Sequence, residues 1–182
     1  MNDYVQSIRE NWRKEFNVIE VNDLPLVLLT EAVNQAILRG ATKVEVTCDG
    51  KVVCVKDNSA PWSDDELDWM LRLPSEGIMS PERRRMFRIL DRQWPPRVLL
   101  TLCALSSEFK VLSSRGQRMK SVVFHDGEPV SDTEVGLGIG DGNMVVMRPF
   151  LEIPPDHRPV YSDLVEAIGD RFPLVEFTYK GI

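Results

Sequence analysis

Leu24–Asn58, LPLVLLTEAVNQAILRGATKVEVTCDGKVVCVKDN, is the stretch whose reading decides the fold. Asn22 and Asp23 offer side chains that can cap a helix, and Pro25 follows at a first-turn position where its missing N–H costs nothing. A helix is therefore predicted from there to about Arg39, with Gly40 as the residue able to stop it in a left-handed conformation. The helix is apolar almost all round, as expected of one covered on more than one side. Glu31 and Gln35 break that pattern at a spacing of four, so they share a face. An acid in such a setting has to be paired, protonated or turned towards a polar cavity, because a bare buried carboxylate is very costly. Beyond Gly40, KVEVTC and KVVCVKD alternate with the period of a strand and meet at Asp49-Gly50, a pair that favours a two-residue primed turn. The hairpin delivers a second acid, Asp57, to the end of a sheet.

Upstream, Asp3–Phe16 carries Val5, Ile8 and Trp12 at helical spacing among charges, which predicts an N-terminal helical extension over residues 1–20 resting on the core. Downstream, Ser63 and Glu66 have the spacing of a capping box for a short helix, Asp64–Leu71. Residues 73–97 differ in character, with prolines at both ends and Arg83, Arg84, Arg85, Arg88, Arg92 and Arg97 inside fifteen residues or close to it. This segment reads as a lid-like flap. Its arginines suit a solvated helix face, a phosphate or a partner. An apolar helix over VLLTLCAL follows, then strands over Glu108–Ser114 and Gln117–His125, a strand over MVVMRPF, a helix over Ser162–Phe172 and a last strand over Leu174–Tyr179. The glycine run 136–142 leads into a strand rather than a helix, so it reads as a flexible connection and not as a phosphate loop.

At 182 residues, with 43% apolar and 27% charged residues, the chain suits one globular domain. A net charge of −6 argues against a general nucleic-acid binder. The longest apolar run is far too short to span a membrane, and the N-terminus lacks a signal-peptide core, so a cytoplasmic protein is expected. Cys48, Cys54 and Cys103 lie in apolar patterns without CxxC spacing and read as reduced, buried thiols. The element order predicts an α+β two-layer sandwich, a mixed and largely antiparallel sheet with helices on one face.

Two runs carry a family resemblance. E31-A-V-N-Q-A-I-L-R-G-A-T-K-V-E-V followed by D57-N-S-A-P resembles the first two nucleotide-binding motifs of the GHKL ATPases, a group that includes gyrase B, MutL, the histidine kinases and the ninety-kilodalton heat-shock chaperones. The later order, TLCALS, a strand pair, VVFHDGEPV, GNMVVMRPF, helix and closing strand, resembles gyrase B. The resemblance runs from Leu24 to the C-terminus. It implies that Glu31 is the carboxylate that activates water and that Asp57 accepts the adenine amino group. It implies that Asn143 stands where gyrase-like proteins often have a threonine assisting adenine recognition. Asn34, Gln35 and the flap arginines Arg84 and Arg97 complete the implied nucleotide-binding set, with ATP and magnesium as the implied ligands.

This chain departs from the family pattern at specific places. Gln35 replaces the magnesium-binding asparagine and is one methylene longer, at a site where the ion demands near-ideal octahedral geometry. Ser59 and Pro61 replace both glycines of D-x-G-x-G, and Pro61 also lacks an N–H. Trp94-Pro95-Pro96-Arg97-Val98 stands where relatives have a glycine-rich phosphate grip. No transducer or cleavage domain is expected within residues 1–182. The resulting expectation is a degenerate gyrase-B-like domain that acts through a protein partner, as a homo- or hetero-oligomer, without direct nucleic-acid or membrane contact. The alternative is a working ATP-binding module with slow hydrolysis.

Overall fold

The computed structural model describes residues 3–49, 51–72, 96–135, 140–157 and 160–181. Seven strands form one sheet: β1 Lys43–Cys48, β2 Val53–Asp57, β3 Ser106–Arg115, β4 Arg118–His125, β5 Glu128–Val135, β6 Gly142–Pro149 and β7 Glu176–Gly181. Their spatial order is β5-β4-β3-β6-β2-β1-β7. Every neighbouring pair is antiparallel except β1 and β7, which run parallel. The described residues also form helices α1 Asp3–Glu15, α2 Leu24–Leu38, α3 Asp64–Arg72, α4 Pro96–Ala104 and α5 Tyr161–Arg171. This is the predicted α+β sandwich with a mixed, largely antiparallel sheet.

The core lies where α2 and α4 press on the sheet. Leu24, Leu28 and Leu29 of α2 meet Val44, Val46, Val55, Val111 and Met147 of the strands in one buried cluster with Leu99 and Leu102 of α4. The strand alternation explains the sheet's two faces: in β1 the buried residues are Val44, Val46 and Cys48, while Glu45 and Thr47 turn to the other side. No helix among the described residues is long and apolar enough to cross a membrane.

Several local expectations need correction. Neither Asn22 nor Asp23 caps α2 with its side chain; a 3-10 turn over Val21–Asp23 leads directly into the helix, with Pro25 in its first turn as expected. The hairpin loop is longer than two residues, because β1 ends at Cys48 and β2 begins at Val53. There the Asp49 carboxylate accepts the amides of Lys51 and Val52, at 2.9 and 2.7 Å. Strand β5 was not anticipated. It is an edge strand with exposed Glu128, Val130, Asp132 and Glu134, so it lacks the apolar alternation that marks a half-buried strand. The last strand starts two residues later than predicted, at Glu176. The flap and its arginines up to residue 95, and the glycines at 136–139, lie outside the described residues.

Candidate functional site

Asp57 and Asn143 sit opposite each other where β2 pairs with β6. Both are buried, at 9% and 1% exposure. The pairing is possible because Gly142 precedes Asn143. Its φ of +140° is a conformation that side chains rarely adopt, and a Cβ there would collide with the carbonyl oxygen of Asp57.

Asn143 organises the loop that leaves β2. Its Nδ2 donates to Ser59 Oγ at 2.9 Å, to the Ala60 carbonyl at 3.1 Å and, at 3.5 Å, to Asp57 Oδ1. Its Oδ1 accepts from the Trp62 amide at 3.1 Å and from Ser113 Oγ at 2.9 Å. Two donors and two lone pairs are all that an asparagine amide offers, so the group is saturated within the protein. Asp57 Oδ1 accepts the Ser59 amide at 2.8 Å. Burial pushes the Asp57 carboxyl above its ordinary range, and the hydrogen bonds from Ser59 and Asn143, with the charge of Arg39, pull it partly back.

A second group pins the same loop from the other side. Arg39, just past the C-terminus of α2, donates to the Ala60 carbonyl through Nε and Nη2 at 3.1 and 3.0 Å and to the Pro61 carbonyl at 3.0 Å. Its Nη1 pairs with Glu66 at 3.1 Å, and its guanidinium lies 3.8 Å from the centre of the Trp62 ring. Glu66 meanwhile completes the predicted capping box of α3, accepting from the Ser63 amide while its own amide donates to Ser63 Oγ. Asn58 ties the loop back to β1 by accepting the amides of Thr42 and Lys43, both at 2.9 Å. Arg39, Trp62 and Ser113 were not singled out in the sequence. The available signal was an arginine between the end of an apolar helix and its stop glycine.

The acid and amide of α2 are in a different condition. Glu31 is half-buried, and burial alone raises its carboxyl above the ordinary range. Gln35 is 8% exposed. Neither side chain, nor that of Asn34, hydrogen-bonds to any described residue. Together with Thr30 and Leu38, Glu31 and Asn34 form the less covered stripe of α2, and Leu38 at 78% exposure marks where the helix leaves the core. Helix α2 packs on β2 and β6, the strands that carry Asp57 and Asn143, but no hydrogen bond joins the two pairs. Arg97 belongs to the first turn of α4 by its backbone, and Arg84 lies outside the described residues. Among the described residues no cluster of three His, Cys, Asp or Glu side chains could hold a metal ion. A cavity of about 300 Å³, lined by Pro25, Lys51, Arg148 and Phe150 among others, touches none of these groups.

No protein-family model matches the chain, and no curated protein matches its sequence. Solved structures do match. The Aquifex aeolicus MutL ATPase domain complexed with ADP superimposes with a TM-score of 0.59 at 19% identity, over 87% of this chain and 59% of that one. The ATPase domain of the mismatch repair endonuclease MutL from the same organism gives 0.60 at 20% identity, over 86% and 56%. The chain shares its fold with these ATPase domains. The chain spans less than two thirds of the length of these MutL chains. At this identity the likeness concerns the fold alone.

Proposed function

We propose that the chain is a GHKL-type ATPase domain with a degenerate nucleotide site, acting chiefly as a protein-interaction or regulatory module in a DNA topology or repair assembly. We take residues 1–182 as a single cytoplasmic domain whose order of pieces relates it to the gyrase B branch. The observation that carries the reading is the saturation of Asn143. The side chain expected to assist adenine recognition is used instead to hold Ser59, Ala60 and Trp62. Ser59 and Pro61 stand where the family's glycines let the backbone approach a nucleotide, and Ser59 is only 2% exposed. Equilibrium dialysis against labelled ATP with magnesium tests this. The reading expects no binding below millimolar concentration.

A second reading is favoured by Glu31 and Gln35. A half-buried acid and a buried amide, both without partners among the described residues, are what a site awaiting a ligand would leave. In this reading the chain would bind ATP together with a magnesium ion. Gln35 would offer one amide oxygen to the metal, Asp57 would accept from the adenine amino group, and Glu31 would take a proton from water. Burial raises its carboxyl, which makes the carboxylate a stronger base. Asn34 and the arginines Arg84 and Arg97 would steady the phosphates, as guanidinium groups can do bidentately. Tight ATP binding that Asp57→Asn abolishes would establish this reading in place of the first. Glu31→Ala would then leave binding intact and remove turnover.

A further inference from the structure

Strand β7 is an outer edge of the sheet, and its sequence is complementary to itself. We propose that two copies of this chain pair antiparallel through β7, centred on Thr178, to make one continuous fourteen-stranded sheet across a twofold axis. In that register Glu176 faces the partner's Lys180, Phe177 faces the partner's Tyr179 and Thr178 faces its own copy. A twofold interface requires such self-complementarity, since each contact occurs twice with the roles exchanged.

The backbone permits this register. The Glu176 amide donates to the Thr42 carbonyl on the β1 side. By strand alternation the amides and carbonyls of Phe177 and Tyr179 point away from β1, to the open edge. Those two residues would thus form hydrogen-bonded pairs with their opposites. Glu176 and Lys180 would form the non-hydrogen-bonded pairs, in which side chains approach more closely. The charges also continue a pattern already present. Lys43 pairs with Glu176 at 2.9 Å, and Lys180 with Glu45 at 2.8 Å. Dimerisation would extend each pair into a four-membered row of alternating sign, Lys43, Glu176, the partner's Lys180 and the partner's Glu45. Phe177 and Tyr179 are only half-buried in the single chain, and Leu174, just before the strand, is 91% exposed. Partner strands would cover the rings that α5 leaves open.

The opposite edge shows what a protected strand looks like in the same sheet. In β5, Pro129 lacks an N–H, and an antiparallel self-pairing centred on Ser131 would oppose Glu128 to Glu134. Centring it on Thr133 opposes Asp132 to Glu134. Unmatched acids and a proline on an edge are devices that prevent edge-to-edge association; β7 has no proline, and its one acid, Glu176, is matched by Lys180 in the self-paired register. A six-residue edge is small beside the roughly 1,200 Å² of a standard interface, so a concentration-dependent dimer is expected rather than a permanent one. The inference does not depend on the nucleotide site.

Sedimentation velocity from low micromolar to near-millimolar protein, without nucleotide, is the test. The wild type is expected to pass from monomer to dimer. Glu176→Lys and Lys180→Glu, each creating two like-charge pairs across the axis, are expected to weaken the dimer about tenfold or more. The double variant keeps the net charge of −6 and re-forms the cross-axis pairs, so, with like charges now beside Lys43 and Glu45, it is expected to recover part of the loss. Amide exchange of the wild type supplies a reading free of any folding defect: Phe177 and Tyr179 should gain protection as concentration rises. A monomer at all concentrations overturns the proposal. So does a dimer indifferent to both single charge reversals, or one that forms without protecting those two amides.

Discussion

Asn143 faces Asp57 across the β2–β6 ladder and holds the loop that follows it, so the end of one strand is shaped by the side chain of its neighbour. Removing that amide leaves the Trp62 N–H without its buried acceptor and Ser59 Oγ without that donor, while Ser113 Oγ keeps the Trp62 carbonyl at 3.3 Å. Each orphaned group costs about 1–3 kcal/mol. Asn143→Ala is therefore expected to lose about 3 kcal/mol, which for a chain of this size lowers Tm by about 6–12 °C. Asn143→Asp keeps the acceptor but sets a carboxylate against Asp57. Its deficit should shrink as pH falls and one of the two acids is protonated. Urea unfolding of both variants across pH measures the difference.

Gly142→Ala is expected to cost more than a typical glycine substitution on an exposed turn. The φ of +140° excludes a side chain, and the Asp57 carbonyl occupies the space. A loss of about 3 kcal/mol or more is expected, on the scale of combined backbone strain and overpacking. Chemical denaturation measures it, with Gly116→Ala as a comparison. That residue also has a positive φ but nothing near the added atom.

The outline of the molecule was legible in the sequence, and the parts that were not share a physical reason. The α2 helix, its glycine stop, the two central strands and the capping box of α3 follow from periodicity and local hydrogen-bond chemistry, which neighbouring residues carry. Strand β5 is held by pairing with β4 rather than by burying a face, so its charged sequence gives no period to read. The Arg39 clamp and the saturation of Asn143 join residues between 21 and 86 positions apart. No local pattern announces such contacts. Asp57 and Asn143 were both marked by their place in motifs, but the sequence could not show that the second is already fully bonded.

Arg39 offers a test of how the loop is held. Its guanidinium serves two carbonyls, one carboxylate and the Trp62 ring, and a lysine ammonium cannot span that set. Arg39→Lys and Arg39→Ala are expected to be nearly equal in cost, about 2 kcal/mol each. Glu66→Gln should cost about 0.5 kcal/mol, because the carbonyl bonds remain and glutamine can still close the capping box. Thermal unfolding of the three variants decides whether the clamp works through its geometry or its charge.

Glu31 makes a pH prediction. Its folded carboxyl is raised by burial above the unfolded value of about 4.5, so the folded state takes up a proton more readily. Stability from this group is therefore gained as pH falls through the raised value and lost as pH rises through it. Glu31→Gln should stabilise the protein at neutral pH, where the folded carboxylate is disfavoured by burial. The gain should fade once the pH drops into the ordinary carboxylate range. Equal effects of the substitution at every pH would show that Glu31 has a compensating partner.

The proposed function holds that Asn143, bonded to Ser59, Ala60, Trp62 and Ser113, has nothing left to offer a nucleotide. Thermal melting with and without millimolar Mg-ATP tests it most directly. The account predicts no change in Tm beyond about 1 °C, whereas a ligand at a hundred times its Kd would raise it by about 5–10 °C for a chain of this size. A rise of that order, abolished by Asp57→Asn, would contradict it.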